Sequence, residues 1–205
     1  MEDSMITVLG LGSLLSEASA RQTCPNLKNF RLATIDGWRR SFNKTDSGLI
    51  KRREIPTDGD LKYGCLSAIR DEKQQGMIVS VFEISQEEWA PLVIREYEYK
   101  LEKVPFVDIE NRAGEGILCI GDFMDDDECE ALIYSDPLRV DRWEDFKKAY
   151  PNMPMWQYDV LPYQRYLDMC LEAAQEHGDS VYENFLDTTF TGQGVSMRDY
   201  IGIEG

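Results

Sequence analysis

The hydrophobic pattern of the chain changes period along its length, from strand-like runs to helical spacing. Met5-Ile6-Thr7-Val8-Leu9 is a short aliphatic and β-branched run that stops at Gly10 and Gly12, which predicts a buried strand delivering a loop. Similar runs at 30–34, 38–43, 65–70 and 77–84 are separated by the turn signals Asp36-Gly37, Asp46-Ser47-Gly48 and Asp58-Gly59. Ser85-Gln86-Glu87-Glu88 matches a capping box, in which the serine oxygen and the glutamate side chain satisfy unpaired amides at a helix start. Trp89, Leu92 and Val93 then share one helical face, Pro91 predicts a kink or a restarted turn, and the helix should run out near Arg95-Glu96. Two more strands, 103–107 and 116–120, are expected around a turn at Ala113-Gly114.

Beyond them the period lengthens. Tyr163, Tyr166, Leu167, Cys170, Leu171 and Ala174 recur at intervals of three and four, the mark of an amphipathic helix, and His177-Gly178 supplies a stop. A shorter helix at 180–187 follows, and Ser196 offers a last N-cap before Tyr200-Ile201. Residues 134–158, rich in proline and tryptophan, give no readable period. Strands first and helices later predict an α+β fold. The 205 residues suit a single domain, 1–205, in which 121–159 is an insertion or a lid.

Composition narrows the function classes. The 22 basic and 38 acidic residues give a formal charge of −16, which repels phosphate backbones and anionic lipid, so nucleic acid and membrane surfaces are not expected partners. A cationic protein is the kind of partner such a surface attracts. Five cysteines, at 24, 65, 119, 129 and 170, make no CxxC pair and leave an odd one over, which suits reduced thiols and a cytoplasmic location. The acidic N-terminus and the short apolar run after it read as neither signal peptide nor membrane span.

The familiar catalytic sets are mostly eliminated. The one histidine, His177, sits near a helix end and reads as a surface residue favourable to the helix dipole. Closely spaced Cys and His ligands for zinc are lacking, and Asp125-Asp126-Asp127-Glu128 lacks the spacing of a calcium loop and reads as a solvated acidic turn. Neither metal nor cofactor is expected. Gly10-x-Gly12 has neither the third glycine of a dinucleotide fingerprint nor the lysine of a P-loop.

What remains is a glycine-flanked loop at a strand end and the segment Arg95-Glu96-Tyr97-Glu98-Tyr99. Gly10-Leu11-Gly12-Ser13-Leu14-Leu15 resembles the Tyr-Gly-Ser loop of the γ-glutamylcyclotransferase-like superfamily. Asp36-Gly37-Trp38-Arg39-Arg40-Ser41-Phe42 is similar to its Gly-Tyr-Arg-Arg-x-Phe segment, and Leu92-x-x-Arg95-Glu96-x-x-Tyr99 with Val104-Pro105-Phe106-Val107 to the stretch holding its catalytic glutamate. Tyr166-Leu167, Phe185-Leu186-Asp187-Thr188-Thr189 and Tyr200 resemble the tail of glutathione-degrading members. The resemblance covers 5–120 and 160–201 and is absent from 121–159.

The resemblance implies a small mixed β-barrel flanked by helices, and an enzyme of the lyase or acyltransferase type acting in glutathione metabolism. It would cyclise a γ-glutamyl peptide or amine to 5-oxoproline, with Glu96 as base. Leu11, Gly12, Ser13 and Leu14 would cradle the substrate, and Tyr99 would hydrogen-bond the base, wall the pocket or belong to the core. Glu98 is the rival carboxylate, and Arg21, Arg39, Arg52 and Arg95 are candidates for pairing a substrate carboxylate. Three positions depart from the family pattern. Leu11 stands where tyrosine is usual, Tyr97-Glu98 where the glutathione-degrading branch has glycines, and Leu15-Ser16 lacks the tryptophan often found there. These departures keep open an alternative, a catalytically inactive binding or assembly protein on the same fold.

Overall fold

The computed structural model describes residues 5–45, 63–123 and 125–204. Arg52 and the turn signals at 46–48 and 58–59 lie outside them. The strands β1 (Ile6–Gly10), β2 (Lys28–Ile35), β3 (Trp38–Thr45), β4 (Tyr63–Arg70) and β5 (Met77–Ile84) come first. A short helix, α1 (Glu17–Arg21), lies between β1 and β2, and α2 (Gln86–Arg95) leads into the pair β6 (Lys100–Asp108) and β7 (Ala113–Ile120). The rest is mostly helical: α3 (Asp126–Tyr134), α4 (Pro137–Ala149), β8 (Leu161–Pro162), α5 (Gln164–Gln175), α6 (Asp179–Thr188), β9 (Thr189–Thr191) and α7 (Met197–Glu204).

Five strands close into a mixed barrel in the order β1-β5-β2-β6-β7 and back to β1. β1 runs antiparallel to β5, with Ile6 opposite Ile84 and Gly10 opposite Ser80. Closure is parallel and brief, Val8 facing Ile117 and Leu9 facing Leu118. β4 leaves the barrel wall beside β7 at Ala68 and Ile120, and carries β3, β9 and β8 with it. β1 and β5 are largely buried on both sides, which is why they read as nearly continuous apolar runs, whereas β6 alternates buried and exposed positions from Val104 to Asp108. Leu9, Val79 and Val81 join the main core with Phe106 and Leu118, whereas Val8, Phe82 and Ile84 pack with Leu14, Ala20 and Leu92 on the side of α1 and α2.

Local chemistry sets the element ends. Ser85 Oγ accepts from the Glu88 amide and the Glu88 carboxylate accepts from the Ser85 amide, so the capping box forms, and the other Glu88 oxygen accepts from the Asn26 amide at 2.8 Å. No restarted turn occurs at Pro91: α2 runs as one helix through it. Pro91 removes only the bond to the Glu87 carbonyl, and both residues are exposed, so water takes the bond's place. The β6–β7 turn also lies earlier than expected. Asp108 accepts from the Glu110 and Arg112 amides, Asn111 takes a left-handed φ of 60°, and Ala113 and Gly114 are already strand. Gly114 is required by packing, because a Cβ there would stand 2.6 Å from the Phe106 ring.

The segment 121–159 contributes a cluster of its own. Cys129, Ile133, Trp143, Phe146, Met155 and Trp156 pack against Tyr97 and Tyr99. The acidic run expected as a solvated turn is instead the start of α3. Asp125 caps the helix through the Glu128 amide, and Asp126 accepts from the Met155 and Trp156 amides and pairs with Lys147. All five cysteines are buried and unbridged. Among the described residues, no helix is long and apolar enough to cross a membrane.

Candidate active site

The loop after β1 and the turn after α2 meet across a cavity of about 740 Å³ lined by Leu11, Gly12, Ser13 and Leu14 on one side and Arg95, Glu96, Glu98 and Tyr99 on the other. β1 ends at Gly10, where a Cβ would meet Ser80 Oγ at 2.4 Å, and the chain turns at once into a 3-10 turn over Ser13–Leu15. Ser80 Oγ donates to the Leu14 carbonyl at 2.7 Å and holds that turn against β5. Gly12 leaves room for the side chains behind it. A Cβ on it would lie 2.8 Å from the Tyr166 hydroxyl and 3.4 Å from Cys170 Sγ, both carried by α5. The Ser13 amide is engaged by the Cys170 sulfur, while the Gly12 and Leu14 amides make no hydrogen bond to a described residue.

Beneath the loop lies Arg40, fully buried. Its guanidinium donates to the carbonyls of Leu11 and Ile78 and to Thr188 Oγ1, and stacks 4.9 Å over the Phe185 ring. No carboxylate pairs with it among the described residues, and burial pushes its pKa down to about 9. A cation costly to desolvate is thus spent on fixing the loop after β1. His177, expected at the surface, is only half-buried solvent-side and reaches inward, its Nε2 lying 2.8 Å from the Leu15 carbonyl while the ring stacks on Phe30.

Across the cavity, Glu96 is the C-cap of α2. Arg95 Nε bonds its Oε1 at 2.9 Å and Arg95 Nη1 bonds Thr23 Oγ1 at 2.6 Å, so the carboxylate is oriented by a guanidinium that is itself anchored. Its side chain keeps 12 % of its exposure, against 3 % for Glu98, which is paired with Lys44 Nζ at 3.5 Å. Tyr99 donates its hydroxyl proton to the Leu66 carbonyl at 2.7 Å, which makes it a wall of the pocket and leaves Glu96 to Arg95. Burial first, and the Glu96 charge second, push the Tyr99 phenol well above its usual range. The Tyr166 phenol is pushed up in the same way by burial, with Cys170, Cys65 and Glu96 adding to it. Both tyrosines therefore stay neutral.

Of the described arginines singled out for a substrate carboxylate, Arg21 pairs with Glu17, Arg39 pairs with Asp71, and Arg95 alone lines the cavity. The sequence reading missed Lys44, Arg142 and Arg165, which line it as well, and the contact of Tyr166 with Gly12. Tyr166 and Cys170 stand one turn apart on α5, a spacing that marks a shared face but names no partner.

No family model matches the chain, and no curated protein matches it in sequence. Solved structures do. One titled a γ-glutamyl cyclotransferase overlaps at a TM-score of 0.46 and 10% identity, covering 82% of this chain and 99% of its own. A yeast γ-glutamyl cyclotransferase specific to glutathione overlaps at 0.46 and 16% identity, covering 86% and 100%. A protein from Arabidopsis thaliana, known from its solution structure, overlaps at 0.41 and 16% identity, covering 76% and 100%. At these scores the likenesses say nothing of chemistry, and the geometry of the cavity stands on its own.

Proposed function

We propose that the chain is an enzyme of the γ-glutamylcyclotransferase type, converting a γ-glutamyl peptide or amine to 5-oxoproline with release of the amine. The observation that carries this reading is that Glu96 and the Gly12-Ser13-Leu14 loop, which lie more than eighty residues apart in sequence and are both family motifs by resemblance, line one cavity.

The substrate carries its own nucleophile, so a sparse site suffices. Glu96 takes a proton from the substrate's α-ammonium, and the freed amine attacks the γ-carbonyl carbon to close a five-membered ring. The oxyanion that develops is met by the Gly12 and Leu14 amides, donors held in place before the reaction begins. The ring nitrogen gives up its second proton to water, and as the oxyanion collapses to the lactam carbonyl the bond to the leaving nitrogen breaks while that nitrogen receives the proton from Glu96. Ring closure in a held conformer is worth effective molarities of about 10⁵ to 10⁸ M, which leaves the protein the tasks of posture and proton transfer.

The test is 5-oxoproline release from glutathione, a γ-glutamyl amino acid and a γ-glutamyl amine by purified protein and by Glu96→Gln. We expect turnover of at least one substrate and a loss of about 10² to 10⁴ in kcat for Glu96→Gln, the range of a general acid-base group. Silence with every substrate, or an unimpaired Glu96→Gln, would refute the reading. The second reading, binding without turnover, draws on Leu11, which is sunk in the main core and brings no hydroxyl to the loop. Saturable binding of γ-glutamyl compounds without product would favour it.

A further inference from the structure

We propose that Arg142, on α4, recognises a carboxylate on the leaving group, so that the preferred substrates are γ-glutamyl amino acids or peptides, with neutral and cationic γ-glutamyl amines disfavoured. This rests on the cyclisation reading above and adds to it the chemistry of the departing amine.

Arg142 belongs to 121–159, the segment outside the family resemblance. This segment reaches the site through α4: Arg139 donates from Nη1 to the carbonyls of Tyr97 at 3.1 Å and Tyr99 at 2.7 Å, and so fixes α4 to the turn that bears Glu96. Arg142 follows three residues later, close to one turn along the same helix. It lines the cavity, is exposed, and makes no hydrogen bond or ion pair with a described residue. Arg95 and Lys44, by contrast, are committed to Glu96 and Glu98.

Charge balance points the same way. The chain as a whole carries −16, yet among the described residues lining the cavity four cations, Lys44, Arg95, Arg142 and Arg165, face two carboxylates, Glu96 and Glu98. An anion that enters meets a local excess of positive charge, and a cation meets the reverse. A guanidinium offers two parallel N–H donors that match a carboxylate. At about 740 Å³ the cavity has the volume of an ordinary ligand site, with room beyond the γ-glutamyl unit for the group that departs.

Two near-isosteric substrates test this, γ-glutamyl-alanine and γ-glutamyl-alaninamide, compared by 5-oxoproline release. The expected preference for the carboxylate is about tenfold in kcat/KM, carried by KM and reduced by added salt, the size of one charge-assisted contact at a hydrated mouth. Arg142→Gln should bring the ratio towards one, Arg142→Lys should restore part of it, and Arg142→Glu should turn the preference towards γ-glutamyl-putrescine. Equal treatment of acid and amide by the unaltered protein, or an unchanged ratio in Arg142→Gln, would overturn the proposal. If no substrate is cyclised, the reading of the reaction fails, and calorimetric binding of the same two compounds decides the Arg142 contact separately. Tighter binding of the acid, lost in Arg142→Gln, supports the proposal, and equal or absent binding of both sinks it.

Discussion

Gly12 is where the site is most tightly specified. A Cβ on it would press on the Tyr166 hydroxyl at its back, which is why the position takes glycine. Gly12→Ala should cost about 1 to 3 kcal/mol as an overpacked contact. In the Tyr166→Phe background the same substitution should cost less, with a coupling of about 0.5 to 3 kcal/mol in a denaturant double-mutant cycle. Strictly additive costs would mean that the hydroxyl does not press on the loop. Gly10 and Gly12 were legible in the sequence because glycine at a strand end is a local signal, whereas Glu96 was singled out by the family resemblance. The duties of Arg40, His177 and Tyr166 were not. Each acts on the loop from far along the chain, Arg40 on Leu11 and His177 on Leu15, and no local pattern encodes such a pair.

At the scale of elements, the tip of the β6–β7 hairpin is governed by one carboxylate. Amides and side chain of Arg112, the Glu110 amide and Arg31 hold Asp108 at about 2, below its ordinary 3.8. A pKa depressed on folding stabilises the fold above the ordinary value and ceases to do so as pH falls through the depressed one. Asp108→Asn keeps an acceptor for the amides and discards the charge, so the variant should melt below the unaltered protein at neutral pH. That gap should close between about pH 4 and 2, and a gap constant down to acid pH would contradict it. The strands were legible because buried walls read as apolar runs, and 77–84 coincides with β5. α4 was not, since of its thirteen residues Arg139, Trp143 and Phe146 are the buried ones and the first is an arginine. Its readable signal was Asp136-Pro137, an N-cap followed by proline at the first helical position.

For the molecule as a whole, the expected mixed barrel flanked by helices is present, and the resemblance that suggested it was carried by short motifs in the right order. The segment it left blank reaches the cavity through Arg142 on α4. Sequence pattern could not show this, because what joins 121–159 to the site is main-chain acceptance by Tyr97 and Tyr99.

The barrel's seam has a consequence in time. Two residue pairs join β1 to β7, bringing residues 8 and 117 together, whereas β6 and β7 pair across a short turn through eight. Contacts distant along the chain form late, because loop entropy is lost before they repay it. The strand that carries the Gly12 loop is thus the one whose seat is made last. After dilution from denaturant, far-ultraviolet circular dichroism should recover ahead of hydrogen-exchange protection of the β1 amides, and simultaneous recovery would contradict this order. A newly made chain would then pass through a stage with helices and hairpins in place and no pocket, its acidic surface already complete while its chemistry has yet to begin.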